Sequence, residues 1–156
     1  MKKLNFRHEI KGNKGFALVE VMIAAVIMVL AFVGILVTYI KCMELNEMSR
    51  NKSNAIRVSK TRMEVINNGN FSQLVTNYHR VAFFPFGGGT SAGVSYVTLV
   101  NPSLAQITVS YCWRQKNGLF VGEDVDLDGN LDPGEDTNGN GIIDSPVQLV
   151  TYRYDD

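Results

Sequence analysis

An α+β fold follows from three observations on the amino-acid sequence. A proline-free segment, apolar from Phe16 to Ile40 and amphipathic from Lys41 to Asn67, reads as one long helix. Segments of alternating apolar and polar residues between Val94 and Tyr154 read as short antiparallel strands. The 156 residues leave room after the apolar run for one modest core. The predicted architecture is therefore a long N-terminal helix, its first half membrane-spanning, packed on a small antiparallel β-sheet.

The first fourteen residues are polar and basic, with Lys2, Lys3, Arg7, Lys11 and Lys14 opposed only by Glu9. Positive charge ahead of a membrane segment holds that side in the cytoplasm, which places the body on the other side. The apolar run of about 25 residues exceeds the roughly 20 that cross a bilayer core as a helix. It is too long for the apolar core of a secretory signal peptide, and no small-x-small cleavage site ends it. Apart from Tyr39, its only ionisable group is Glu20. A charge at the centre of such a helix costs about 2.5–3.5 kcal/mol or more and marks a functional position by default.

Lys14-Gly15-Phe16-Ala17-Leu18-Val19-Glu20-Val21, followed by the apolar stretch from Met22 to Ile40, resembles the processing motif of type IV prepilins and of the pseudopilins of type II secretion. The resemblance implies a leader over residues 1–15, a transmembrane and assembly segment over 16–40, and a periplasmic or extracellular body over 41–156. It implies cleavage between Gly15 and Phe16 by a membrane-embedded prepilin peptidase, and N-methylation of Phe16 by the same enzyme. Glu20 then falls at the fifth place of the mature chain, where the family carries its glutamate. Ala17 departs from the commoner threonine at the second place. The partners implied are that peptidase, an assembly platform with its ATPase, and other pilins or pseudopilins in a helical filament. The implied location is the bacterial inner membrane as a single-pass protein, and then a pilus or pseudopilus.

The residue types suit this chemistry. Glycine before the cut leaves the backbone open to the peptidase's carboxylates. Cleavage creates an α-amino group about 6 Å along the helix axis from Glu20, and the two opposite charges relieve each other's burial. The resemblance implies that the pair instead forms between neighbouring subunits, where it would set the axial stagger of the filament. Loss of the leader removes five cations and one carboxylate, which shifts the formal balance from 0 to about −4.

Beyond the membrane, Lys41 to Asn67 contains no proline or glycine, and Leu45, Met48, Ala55, Ile56, Met63 and Ile66 form one apolar stripe. Asn67-Asn68-Gly69-Asn70 ends the helix, which would be roughly 75 Å long with Gly34 as a soft point. Phe71 to Gly93 reads as a connecting region with a mobile loop at Gly87–Gly93. Val94–Val100 and Leu104–Arg114 are predicted strands. In the second, Ala105, Ile107, Val109, Tyr111 and Trp113 share one face, and Cys112 lies on the opposite, polar face. Asn117-Gly118 signals a hairpin to Leu119–Gly122, and Val147–Tyr154 closes the sheet.

Residues 123–145 form an Asp-rich loop. Asp124, Asp126, Asp128, Asn130, Asp132 and Glu135 stand at the oxygen-ligand spacing of a calcium loop, with Gly129 at its turn. A weaker copy starts twelve residues on with Asp136, Asn138 and Asn140, and Asp144 can serve either copy. The twelfth place of that copy is Val147, so the closing carboxylate is missing. Hard oxygen ligands in this number favour calcium, in the weaker extracellular range of about 10⁻⁴ to 10⁻³ M. The strand before the loop and the Pro133-Gly134 pair leave no room for a helix-loop-helix hand. The alternative is a solvated acidic loop without metal.

Nothing else carries chemistry. Cys42 and Cys112 read as unpaired thiols, which also departs from the major-pilin arrangement of a C-terminal disulfide loop. His8 and His79 stand apart, no catalytic set has local support, and no basic patch with interleaved aromatics suggests nucleic acid. The expected function is a non-enzymatic minor pilin or pseudopilin with a calcium-stabilised body. The alternative is a membrane-anchored, calcium-dependent adhesin or binding module that never enters a filament.

Overall fold

The computed structural model describes residues 18–155; the expected leader, the expected cut between Gly15 and Phe16 and the expected methylation of Phe16 lie outside them. The chain divides after Met43 into two compact units. In the first, the helix α1 (Leu18–Asn67) carries the apolar stretch, which is long and apolar enough to cross a membrane. Its side chains are exposed, as a helix apolar all round must be unless lipid or other helices surround it. The Thr38 hydroxyl donates to the Gly34 carbonyl at 2.9 Å, and α1 continues through Gly34 unbroken.

In the second unit, the rest of α1 packs on a five-stranded antiparallel sheet. Two short helices, a 3-10 turn at Phe71–Gln73 and α2 (Leu74–Tyr78), lead into β1 (Val81–Phe83). β2 (Ser91–Asn101) and β3 (Leu104–Arg114) form the central pair. The far edge of β3 is shared: β4 (Phe120–Val121) pairs with Trp113 and Arg114, and β5 (Gln148–Tyr154) with Leu104–Ser110. A turn at Gln115–Gly118 joins β3 to β4, with Gly118 at φ 86° and its N–H donating to the Gln115 carbonyl.

Ala105, Ile107, Val109, Tyr111 and Trp113 are buried against α1, as their alternation predicts. Ile66 meets Val97 and Ile107, while Ala55 and Val58 meet Tyr111 and Trp113. The buried stripe of α1 begins at Ala55 rather than at Leu45: Leu45 and Met48 stay exposed, and Val58 and Ser59 join it. The sheet reaches only the last turns of the helix, so the earlier apolar positions have nothing to pack on. Arg153 of β5 donates to the carbonyls of Ile66 and Gly69 at 3.2 and 2.8 Å. It supplies the positive end-charge that the last turn of α1 lacks.

Two expectations are corrected. Phe71–Gly93 is not merely a connection. It holds two helical turns and β1, and Ser91–Gly93 already belong to β2. Gly93 is a packing glycine: a Cβ there would lie 2.2 Å from the Phe83 ring. Nor is the second face of β3 solvated. Cys112, Ser110 and Thr108 are buried: Gln148 of β5 donates to the Ser110 hydroxyl, and the Asp-rich loop packs on Cys112. Its Leu127 and Ile143 form a second core with Ala92, Val94, Tyr96 and Cys112, flanked by Leu131 and Ile142.

Candidate metal centre

Residues 123–145 contain neither helix nor strand, so the loop is not a helix-loop-helix hand. It is built instead from side-chain carboxylates that fold backbone around themselves. Asp124 Oδ1 accepts from the Asp128 N–H at 3.2 Å and Oδ2 from the Gly129 N–H at 2.9 Å. Asp126 Oδ1 accepts from the Asp128 N–H, and Asp128 Oδ1 from the Asn130 N–H at 2.7 Å. Leu127, the apolar residue within this turn, takes φ 61° and is buried under it. Gly129 has φ 78°, and a Cβ on it would come within 2.4 Å of the Ala82 Cβ in β1. Only glycine meets both demands.

Oxygens of Asp124, Asp126 and Asp128 all lie within 4.8 Å of one another. Asp124 is 1% exposed. Burial pushes its carboxyl up to about 6, against the pull of the Gly129 and Leu127 N–H groups, and the carboxylates of Glu135 and Asp126 add to the rise. Its charged neighbours therefore share its sign. Asp128 is held below the usual carboxylate range by bonds from the Asn130 side chain and backbone. A buried carboxylate among carboxylates suits a hard cation, and the donor set is all oxygen. The structure gathers three of the six predicted ligands of the first repeat. Asn130 bonds to Asp128. Glu135 places one oxygen on the Val125 N–H at 2.8 Å and the other on the Asp132 N–H at 3.1 Å. Asp132 and Glu135 thus stand outside the carboxylate triad.

The second repeat copies the backbone scheme of the first. Asp136 Oδ2 accepts from the Gly141 N–H at 2.9 Å, the equivalent of the bond from Gly129 to Asp124. Asn138 Oδ1 accepts from the Asn140 N–H, and Asn140 Oδ1 from the Ile142 N–H. Asp144 belongs to this repeat: Asn138 and Asn140 donate to its Oδ2 at 2.6 and 2.8 Å, and Gln148 to its Oδ1 at 2.9 Å. No cluster of three carboxylates forms here among the described residues.

Glu123 closes the whole segment, a role the spacing did not reveal. Its Oε1 accepts from the backbone and hydroxyl of Thr137, and its Oε2 from the Asp144 N–H at 2.9 Å. The Ile143 N–H donates to the Tyr96 hydroxyl at 2.8 Å, and Tyr111 N–H to the Val147 carbonyl at 3.1 Å. These bonds fix the loop, and the start of β5, to the sheet. The signal for them was the apolar residue set within the acidic run: Leu127, Leu131, Ile142 and Ile143.

Glu20, the other predicted site residue within the described part, lies in the first turn of α1 and is exposed. Residues 10–36 match the family model of the prokaryotic N-terminal methylation motif, the signature of type IV prepilins and pseudopilins. The match spans the end of the predicted leader and the first part of α1 and stops short of the sheet-bearing unit. No curated protein and no solved structure matches the chain.

Proposed function

We propose that this type IV pilin-like precursor is a minor pilin or pseudopilin, a structural subunit rather than an enzyme. The observation that carries this reading is the methylation motif over residues 10–36, with Glu20 as the one carboxylate inside the apolar run. A prepilin peptidase cuts after Gly15 and methylates Phe16. The new amine and Glu20 then pair as subunits leave the inner membrane for a helical filament, with an assembly platform and its ATPase as partners. In a low-dielectric bundle an uncompensated carboxylate is costly, so the pair sets where each helix stops against the next. The body lies outside the cytoplasmic membrane, following the charge asymmetry around the apolar run.

The same reading assigns calcium to the body. Asp124, Asp126 and Asp128 would hold the ion, with Asn130, Asp132 and Glu135 as further oxygen donors. Asp136, Asn138, Asn140 and Asp144 form the weaker second repeat. Calcium supplies the positive charge that the buried Asp124 lacks. It thereby holds the loop on the outer face of the sheet, where Leu127 and Ile143 seal the second core.

Glu20→Leu separates a filament subunit from an anchored binding module. The expected outcome is normal membrane insertion and leader cleavage with loss of filaments, or of the secretion they drive, read by electron microscopy and immunoblot. Filaments unchanged in number and length would favour the anchored adhesin.

A further inference from the structure

We propose that a groove between α1 and the segment Phe83–Ser91 docks an acidic peptide segment of a partner protein, about six residues long, with an apolar side chain seated among phenylalanines. The groove consists of two cavities, of about 440 and 260 Å³, with Phe86 lining both. On the helix side Asn51, Asn54, Val58, Thr61 and Val65 recur at three- and four-residue steps, so one stripe of α1 floors both cavities. Asn51 to Val65 spans about 21 Å of helix, the length of roughly six residues of extended chain. The larger cavity is walled by Phe83, Phe84, Pro85 and Phe86, with Phe84 and Phe86 exposed at its mouth.

The charge in this groove is of one sign. Arg57 and Arg62 line the larger cavity and Arg114 the smaller, and no carboxylate lines either. Among the described residues none of the three pairs with a carboxylate. Arg62 is the most informative. Its guanidinium sits 5.2 Å from the Tyr78 ring centre and 5.0 Å from that of Phe83. One nitrogen reaches the Ser95 hydroxyl at 3.5 Å, and the buried Nε has no partner. Burial pulls the Arg62 pKa down, with Tyr78 opposing. Aromatic faces offset part of the cost of a desolvated cation; a counter-charge offsets the rest.

A second unpartnered donor belongs to a residue that lines the smaller cavity. Trp113 is 4% exposed, and its indole N–H has no acceptor. Buried donors without acceptors are rare in folded proteins and call for an explanation. The groove thus offers surplus N–H donors, three cations and an apolar pocket. Its complement offers acceptors along its length, negative charge and an apolar side chain. An extended acidic peptide has all three, whereas a small inorganic anion leaves the phenylalanine cavity unfilled.

The test uses the full-length chain in non-ionic detergent micelles. Trp113 is the only tryptophan, so its emission reports on the smaller cavity. The probe is a blocked seven-residue peptide alternating aspartate and phenylalanine, fluorescein-labelled for polarisation; the control carries lysine for aspartate. Saturable binding of the acidic probe, with a shift in Trp113 emission and at least tenfold weaker binding of the control, is expected. Arg57→Ser combined with Arg114→Ser, both exposed positions, should weaken binding at least tenfold with an unchanged melting curve. Arg62→Met should also lose binding without lowering the melting temperature. Equal binding of both peptides, no saturable binding of the acidic one, or unchanged affinity in the double variant would overturn the proposal. So would an Arg62→Met chain that melts lower yet still binds, which would make Arg62 a purely structural residue. Dimers that form without the peptide and exclude it would assign the groove to a second copy, and also overturn it.

Discussion

The two halves of the Asp-rich loop fold the same way and solve their electrostatics differently. In each, the leading aspartate, Asp124 or Asp136, takes the N–H of the glycine five residues on at 2.9 Å. The first half carries five carboxylates in twelve residues, the second only Asp136 and Asp144. Asparagines take the place of carboxylates in the second half, and with Gln148 they turn three amide N–H groups onto Asp144. That half satisfies its Asp144 carboxylate from within, by neutral amide donors. The first half has its aspartates facing one another around a buried Asp124. The difference teaches that the backbone scheme is set by short side-chain acceptors and glycines, while the need for a cation is set by which acceptors are charged. The proposed calcium is therefore expected as one weakly held ion in the first half, with the second half folded whether or not it is bound.

The glycines at the sixth and fourth places break the comparison most severely. Gly129→Ala would strain a φ of 78° and drive a Cβ to 2.4 Å from that of Ala82. Gly139→Ala strains a φ of 74° alone, since nothing lies within 4 Å. The expected loss is about 1 kcal/mol for Gly139→Ala from the left-handed backbone. For Gly129→Ala it is about 3 kcal/mol or more, with overpacking added. Chemical denaturation of the full-length chain in micelles measures both. Equal losses would show that β1 yields and that the first half is not locked against it.

Calcium removal comes next. A ligand that binds only the folded state stabilises it by RT ln(1 + [L]/Kd), about 2.7 kcal/mol at a hundredfold excess over Kd. For a body of this size that is on the order of 10 °C in melting temperature at 10 mM calcium against EGTA. Magnesium at the same concentration should do less, because it dehydrates reluctantly and demands tighter geometry. Coincident midpoints with calcium and EGTA would leave the first half a solvated acidic loop.

How much of this was legible in the sequence depends on how local the signal is. The long helix is carried by signals local in the chain, an unbroken apolar run and the Asn67–Asn70 stop, and α1 ends where that stop places it. The central strands follow from period-two alternation, and the observed β3 matches its predicted ends. β1 was missed because three residues carry no period; the apolar run from Val81 between Arg80 and Pro85 was its only trace. The second core was missed for another reason. Thr108, Ser110 and Cys112 look like a solvent face, but they are small and uncharged, and they can be buried once something covers them. What covers Cys112 lies further along the chain in an acidic segment, where no period marks Leu127 and Ile143 as the covering residues. The groove on α1 was illegible because it depends on Phe83–Phe86 returning to the helix.

The finest separation comes from two isosteric changes, one in each half. In Asp126→Asn the remaining side-chain oxygen still accepts from the Asp128 N–H, so the turn keeps its bond and loses one charge of the triad. Calcium affinity should fall about tenfold, since a charged ligand is replaced by a neutral one. Stability in EGTA should hold or rise slightly, because one like-charge neighbour of Asp124 is gone. In Asp144→Asn the reverse holds. Oδ2 accepts from Asn138 and Asn140 and Oδ1 from Gln148, so whichever way the new amide turns, its NH₂ faces at least one N–H donor. These donors are exposed and water can take the place of the lost acceptor, so the cost is about 0.5–1.5 kcal/mol. The cost should be the same with calcium and with EGTA, because this half is held by its own amides. If Asp144→Asn instead lowered stability only in calcium, Asp144 would be a ligand and the second half a second ion site. The contrast between the two halves would then lie in affinity alone.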